Sequence, residues 1–144
     1  MIALFIGEYN HTIDTKGRLI IPSKFCELLG EQVVATRGLD GCLFLSQVEE
    51  WKSFEEKLRN LPLADKKARK LKRFFASGAA FCDIDKQGRV LIPVPLREFA
   101  EIDKDVILIG AINRIELWDK ERYREMNDYD DVDDIIEELE LDLN

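Results

Sequence analysis

Asp14–Pro22, DTKGRLIIP, returns 71 positions later as DKQGRVLIP at Asp85–Pro93. A stretch that recurs at a fixed offset is the sequence signature of a repeated structural unit. We therefore expect two modules of one fold, at residues 7–49 and 79–122. The aligned apolar residues that support this, with one inserted residue near position 102, are Ile13 with Ile84, Phe25 with Leu96, Leu28 with Phe99, Val34 with Val106, Leu43 with Ile115 and Leu45 with Leu117.

Each module is expected to contain a strand, a tight turn, a second strand, a short helix and a final pair of strands. Gly17 and Gly88 mark the turns, because glycine adopts a positive φ at little cost. Pro22 and Pro93 end the second strands, since proline cannot donate to a central ladder but suits the first turn of a helix. The elements expected in the first module are strands at Tyr9–Ile13 and Leu19–Ile21, a helix through Phe25, Leu28 and Leu29 that stops at Gly30, and strands at Val33–Thr36 and Cys42–Ser46. Leu19–Ile21 and its counterpart Val90–Ile92 are short apolar runs, which are consistent with buried strands.

The connector between the modules, residues 50–78, changes the apolar period from two to about 3.6. This period predicts two helices in a hairpin, with their apolar stripes in the core. The first stripe contains Trp51, Phe54, Leu58 and Leu61, and the second, after Pro62, contains Ala64, Ala68, Leu71 and Phe75.

The acidic residues are concentrated at the C-terminal end. Residues 128–144 hold nine of the 29 acidic residues and no Lys or Arg, so residues 1–127 carry 21 basic against 20 acidic side chains. The formal net charge of −8 therefore does not exclude a nucleic-acid partner, because binding depends on the local potential. Apolar residues at helical spacing predict that residues 123–144 form an acidic amphipathic helix or a disordered tail: Val132, Ile135, Ile136, Leu139 and Leu143.

Length and composition are typical of a globular protein with a sizeable core, at 144 residues and 46% hydrophobic content. No apolar run reaches the ~18 residues that a membrane span needs, and Met1–Ile6 lacks a basic leader, so we expect a cytoplasmic protein without a membrane partner. Cys26, Cys42 and Cys82 are odd in number and form no C-x-x-C pair, which predicts structural thiols.

Nothing in the sequence favours an enzyme. His11 is the only histidine, and its position in a strand is more often packed or exposed than functional. The G-x-S-x-G, H-E-x-x-H and P-loop patterns are absent, and the acidic tail lacks the ligand order of an EF-hand. We expect no catalytic residue, metal, cofactor or small-molecule substrate.

The repeated motif resembles the MraZ family. GEYNHTIDTKGRL at residues 7–19 with Ile21-Pro22, and DKQGRVLIP at residues 85–93, match that family closely, and the resemblance covers roughly residues 2–124. A single D-x-x-x-R is a weak signal, but two in register, each followed by Ile-Pro, are specific. The resemblance implies an α+β, β-rich fold in which two tandem SpoVT-AbrB modules with swapped hairpins form a pseudo-symmetric β-barrel.

The resemblance also implies a function. Family members are sequence-specific DNA-binding transcription regulators that assemble as homo-oligomeric rings. They bind short direct repeats in the promoter of the division and cell-wall gene cluster. The expected partners are therefore double-stranded DNA and further copies of the chain, the expected effect is repression that includes its own promoter, and the expected location is cytoplasmic and nucleoid-associated.

The two turn motifs supply the candidate site. An arginine after the turn glycine projects from a hairpin tip, where its guanidinium can reach phosphate or guanine bidentately. The alternative is that each arginine only closes a pair with the aspartate four residues earlier. The residues expected to contact DNA are Arg18, Arg89, Lys16 and Lys86, and those expected to hold the turns are Asp14, Gly17, Asp85 and Gly88.

Several alternatives stay open. The basic run of the connector could track phosphates, receive the acidic tail or be an ordinary solvated helix face: Lys66, Lys67, Arg69, Lys70, Lys72 and Arg73. At the level of function, an AbrB-like antitoxin and a purely structural ring are the alternatives to a regulator. The duplicated module argues against the antitoxin, because such antitoxins generally resemble a single module. Binding to the upstream DNA separates the regulator from the structural ring.

Overall fold

Two strands, a short helix and two more strands make up each repeat in the computed structural model, which describes residues 4–144. Met1–Ala3, on which the expectation of no leader rests in part, lie outside the described residues. The first repeat contains β1 (Glu8–Thr12), β2 (Arg18–Ile20), α1 (Ser23–Leu29), β3 (Gln32–Arg37) and β4 (Leu43–Ser46). The connector contains α2 (Val48–Arg59) and α3 (Lys66–Ser77). The second repeat contains β5 (Ala80–Asp83), β6 (Arg89–Leu91), α4 (Val94–Phe99), β7 (Asp105–Gly110) and β8 (Ile115–Asp119), followed by α5 (Lys120–Met126) and α6 (Val132–Glu138). The fold is α+β and rich in strands.

The two repeats are interleaved in one sheet. Six strands are ordered β1-β7-β8-β4-β3-β5, and the pairs within this order are antiparallel. If each strand is exchanged for its counterpart in the other repeat, the same strand order is obtained, read from the opposite end of the sheet. A pseudo-twofold axis therefore passes between β4 and β8. The first strand of each repeat is an end of this sheet and pairs with the third strand of the other repeat.

The second strands form a separate two-stranded ribbon, in which β2 pairs with β6. This corrects the expectation that each turn tops a hairpin projecting from a sheet. The two strands that flank a turn are not ladder partners, since β1 pairs with β7 and β2 pairs with β6, and an isolated bridge between Ile13 and Leu19 is what joins them. The ribbon therefore links the repeats a second time.

Only the middle residue of each ribbon strand faces the core. Leu19 and Val90 are fully buried, whereas Ile20 and Leu91 are 51% and 57% exposed. The apolar runs Leu19–Ile21 and Val90–Ile92, which are consistent with buried strands in the sequence, are thus exposed at these two positions. The reason is the period of two: a three-residue strand alternates its faces, so its central side chain points one way and its ends point the other.

The connector helices pack against β3, and their residues Trp51 and Phe75 are buried. The predicted stripes are buried in part: Ala68 and Phe75 are buried, whereas Leu71 between them is 43% exposed. Pro22 and Pro93 directly precede α1 and α4 instead of lying in their first turns. No residue of α6 is buried, so the acidic segment forms a helix without packing its apolar residues. None of the helices within residues 4–144 has the length and apolar character that crossing a membrane requires.

Candidate nucleic-acid interface

The turn between β1 and β2 is built on the carboxylate of Asp14. Its Oδ1 accepts the backbone N–H groups of Lys16 and Arg18, both at 2.9 Å, and its Oδ2 accepts Nε of Arg18 at 2.8 Å. Two backbone bonds close the same loop, from Gly17 N–H to the Asp14 carbonyl and from Asp14 N–H to the Arg18 carbonyl, each at 3.0 Å. One aspartate thus fixes both the turn and the arginine side chain.

The second turn repeats this arrangement. Asp85 Oδ1 accepts the N–H groups of Gln87 and Arg89 at 2.9 and 2.8 Å, and its Oδ2 accepts Nε of Arg89 at 2.9 Å. Gly17 and Gly88 have φ values of 89° and 77°, in the region that other residues resist. Asp14 and Asp85 thus make matching hydrogen bonds, and Gly17 and Gly88 share the same left-handed backbone conformation.

Hydrogen bonding keeps both aspartates ionised. The Arg18 backbone N–H is the main cause that holds the pKa of Asp14 below its ordinary value of 3.8; desolvation opposes it, and the Arg18 side chain and the Lys16 N–H add to it. The Arg89 backbone N–H has the same leading effect on the pKa of Asp85. At neutral pH each turn therefore carries a carboxylate that holds its arginine through Nε alone.

The terminal nitrogens of both arginines are left available. Nη1 and Nη2 of Arg18 and Arg89 make no hydrogen bond to any other residue that the structure describes. The side chains are 38% and 35% exposed. Two donors in a fixed plane are what bidentate binding to a phosphate or to a guanine edge requires. The pair with aspartate and a contact to DNA are thus compatible roles.

The β2·β6 ribbon brings the two arginines onto one face. In its register Arg18 lies opposite Leu91 and Arg89 opposite Ile20, so all four share the outward side. Leu19 and Val90, opposite each other, form the buried side. Ile21 N–H donates to the Gly88 carbonyl and Ile92 N–H to the Gly17 carbonyl, both at 2.9 Å, which ties the ribbon to both turns. We call the set Arg18, Ile20, Arg89 and Leu91 the outward ribbon face.

The two candidate lysines lie in the turns but at different places. Lys16 is the residue just before Gly17, where its own N–H donates to Asp14. Lys86 corresponds to Thr15, one residue earlier in the turn, and the counterpart of Lys16 is Gln87, whose N–H donates to Asp85. Both lysines are exposed, and neither forms an ion pair within residues 4–144. The two turns thus present similar but unequal charge.

Three residues near this face were missed by the sequence reasoning. Ile20 and Leu91 were seen only as members of short apolar runs consistent with buried strands, although the period of two in a three-residue strand turns them outward. Arg97 was not considered. Its guanidinium lies against Gly17: a Cβ built on that glycine would be 2.7 Å from Arg97 Cζ. Only the pairing of the two repeats brings α4 to the first turn. The resemblance implied swapped hairpins, but it did not show which residue of α4 meets the turn.

The basic run of the connector lies on α3, in a segment of the sequence separate from both ribbon strands. Its six side chains are exposed or half-buried, and within residues 4–144 none of them forms an ion pair. In particular, no ion pair joins the described part of α3 to the acidic tail. A tail received by this run would compete with DNA phosphates. Truncation after Asn127 tests this, because loss of the tail should then raise the affinity for random duplex at low salt.

The side chains of the described region offer no group of three or more histidine, cysteine, aspartate or glutamate residues arranged to hold a metal ion. Cys42 and Cys82 are buried, and Cys26 is half-buried. Burial raises the pKa of all three thiols. They are therefore protonated at neutral pH and pack as small apolar groups, which agrees with the structural role expected of them.

Comparison with known proteins points to one family. The family model described as "MraZ protein, putative antitoxin-like" matches the chain twice, at residues 4–74 and 75–141. A protein of Lachnoclostridium phytofermentans is 54% identical over 136 residues, which is 94% of this chain and 95% of the relative. A protein of Thermoanaerobacter sp. is 55% identical over 143 residues, 98% and 99% of the two chains. A protein of Desulfitobacterium hafniense is 56% identical over 115 residues, 80% of each chain. All three are named Transcriptional regulator MraZ.

Proposed function

The chain belongs to the MraZ family, and on that premise we propose that it is a DNA-binding transcription regulator whose outward ribbon face enters the major groove. The curated relatives are named as regulators of transcription, so the family is not one of enzymes. The proposal agrees with the D-x-x-x-R motifs, which the resemblance associates with DNA contact.

The observation that carries the proposal is the ribbon. A major groove about 12 Å wide admits a two-stranded β-ribbon, and arginine bidentate to guanine is the commonest specific contact there. In this chain a two-stranded ribbon presents two arginines whose terminal nitrogens are free within the described residues. The Asp14 and Asp85 carboxylates hold the guanidinium groups before DNA arrives, which reduces the entropy lost on binding.

Ile20 and Leu91 add two apolar side chains to the same face, each directly opposite one of the arginines. Such exposed branched side chains can contact thymine methyl groups, which only the major groove displays. Lys16 and Lys86, at the two ends of the ribbon, are positioned to attract phosphates. The face therefore combines groups for base recognition with groups for backbone attraction.

We extend the proposal to the finer features that the resemblance implies. These are two SpoVT-AbrB modules closed into a pseudo-symmetric barrel, a homo-oligomeric ring, and repression of the division and cell-wall gene cluster through short direct repeats, including those at its own promoter. The interleaved strand pairing supports the swapped modules. Two unequal repeats in one chain suit the head-to-tail interfaces that close rings. A regulator of this kind acts in the cytoplasm at the nucleoid.

A second candidate is an AbrB-like antitoxin, which the description of the matching family model favours. The α6 helix, with Val132 and Ile135 exposed, is the segment that would wrap a toxin. The two candidates differ in genetics. Loss of an antitoxin gene is lethal while the toxin gene beside it is intact, whereas loss of a regulator changes transcript levels without that dependence.

The proposal is tested by binding to a duplex taken from immediately upstream of the chain's own gene, followed by fluorescence anisotropy. A duplex of the same composition in scrambled order is the control. We expect the upstream duplex to bind at least a hundredfold more tightly, since specific sites exceed non-specific DNA by about 10³ or more in this class of complex. Equal affinity for the two duplexes would rule out sequence-specific regulation.

A further inference from the structure

Besides the two lysines, the pseudo-twofold symmetry of the site is broken where α1 and α4 meet the turns. Arg97 of α4 and Cys26 of α1 are 71 positions apart, the same offset that relates the two turns. Each is placed against the turn of the opposite repeat: Arg97 against Gly17, and Cys26 against Gly88. Two equivalent places in the fold thus carry a cation in one case and a thiol in the other.

Arg97 covers the first turn with its guanidinium. A Cβ built on Gly17 would be 2.7 Å from Cζ and 2.8 Å from both Nε and Nη2 of Arg97. Nε donates to the Ile92 carbonyl at 2.9 Å, on the strand end next to the ribbon. Within residues 4–144 the terminal nitrogens have no hydrogen-bond partner and the side chain has no ion pair. Arg97, like Arg18, is thus held through Nε, and its terminal nitrogens are available. No carboxylate in the described residues offsets the charge of Arg97.

Cys26 leaves the second turn without an equivalent charge. Its Sγ would lie 3.5 Å from a Cβ built on Gly88 and donates to the Ile21 carbonyl at 3.5 Å. Burial raises the pKa of the thiol, so it is neutral near pH 7. The backbone around the two places is alike, because Ile21 bonds to Gly88 as Ile92 bonds to Gly17. The difference between the two ends of the ribbon is therefore one of charge, not of fold.

We propose that Arg97 is a further DNA-contacting residue, which binds a phosphate beside the first turn and thereby fixes the orientation of the chain on its site. The inference rests on the proposed function and deepens it. A ribbon with twofold symmetry fits a groove equally well in two opposite orientations. A cation at one end only makes one orientation better, and binding to direct repeats requires each copy to take the same orientation.

The first test compares salt dependence. Binding of the upstream duplex is measured from 50 to 200 mM salt for wild type, Arg97→Ala, Arg97→Lys and Cys26→Arg; each phosphate contact contributes about 0.9 to the log-log slope. Arg97→Ala is expected to flatten the slope by about 0.9, Arg97→Lys to restore it, and Cys26→Arg to steepen it by about 0.9. Arg124→Ala is the matched control, because Arg124 is an exposed cation on α5 paired only with Glu121 within the described residues. Thermal unfolding of each variant shows whether the fold is retained.

The second test locates the contact. Single phosphates of the duplex are replaced by uncharged methylphosphonates, one per experiment. We expect one linkage whose neutralisation weakens wild type but not Arg97→Ala, and a new sensitive linkage at the opposite end of the site in Cys26→Arg. Two results together overturn the inference. The salt slope of folded Arg97→Ala equals that of Arg124→Ala, and each methylphosphonate replacement weakens Arg97→Ala as much as it weakens wild type. If wild type fails to prefer the upstream duplex over the scrambled one, the proposed function fails, and this inference fails with it.

Discussion

An aspartate four residues before an arginine closes each turn through the backbone and the side chains at once. Asp14 accepts two backbone N–H groups on one oxygen and the Arg18 Nε on the other. The arginine is therefore fixed near its root while its outer donors stay available. The motif was visible in the sequence, and so was the choice between a structural and a binding role. The geometry shows that one role does not exclude the other.

The ionisation of these aspartates leads to a first prediction at the residue scale. Hydrogen bonds to the charged form lower a carboxyl pKa, so Asp14 and Asp85 should titrate below 3.8 in the folded protein. Because the folded-state pKa is the lower one, the stabilisation is complete above 3.8 and is lost as the pH falls through the folded-state value. NMR titration of the side-chain carboxyl carbons measures both groups. A midpoint at or above 3.8 for either one contradicts the turn geometry.

The turn glycines lead to a second prediction. A non-glycine residue at a positive φ costs about 1–2 kcal/mol, so both Gly17→Ala and Gly88→Ala lower the free energy of unfolding. Gly17→Ala should cost about 1 kcal/mol more, because the new Cβ displaces the Arg97 guanidinium from the turn and from its hydrogen bond to Ile92. Denaturant unfolding of the matched pair measures the difference, and equal losses would argue against the observed position of Arg97.

At the scale of elements, the sequence predicted where the short strands lie but not which way their residues face. An apolar run of three or four residues fits a fully buried strand and a half-buried one equally well. Ile20 and Leu91 are exposed because the ribbon has one side on the core and one side in solvent. Which side of a short strand faces the core depends on where the strand lies in the fold, and the local sequence pattern does not show it.

Adjacent residues of β2 give a direct check on the ribbon's two faces. Leu19 is fully buried, so Leu19→Ala is expected to cost about 2–5 kcal/mol in the free energy of unfolding. Ile20 is half-exposed on the outward face, so Ile20→Ala should stay within about 0.5 kcal/mol of wild type. Denaturant unfolding of both variants provides the measurement. Similar losses for the two would mean that the strand does not alternate as described.

At the scale of the whole molecule, the repeats depend on each other. β1 has its ladder partner in β7, and β2 has its partner in β6, so each half lacks partners for two of its strands. The order of elements within a repeat could be predicted from the sequence, because it follows from local patterns. The exchange of strands between repeats was implied only by the family resemblance, because local patterns carry no information on contacts between residues about 70 to 100 positions apart. The contact between the Arg97 guanidinium and Gly17 depends on the same exchange of strands.

A fragment of residues 1–78 is therefore expected to have no folded monomeric state. Circular dichroism and amide dispersion in NMR at low concentration should show an unfolded chain, while the full protein is folded under the same conditions. Mixing this fragment with residues 79–144 should restore the fold, since the missing strand partners are then supplied. A stable, folded monomer of residues 1–78 alone would contradict the interleaved topology.

The most direct test of the central claim, that the ribbon arginines carry DNA recognition, is the affinity of Arg18→Ala, Arg89→Ala and the double variant for the upstream duplex and its scrambled control. Loss of a bidentate base contact should remove about 1–3 kcal/mol of discrimination per arginine, so the folded double variant is expected to bind both duplexes alike. If the double variant discriminates as well as wild type, the arginines only stabilise the turns. The basic face of α3 then becomes the surface to test for DNA binding.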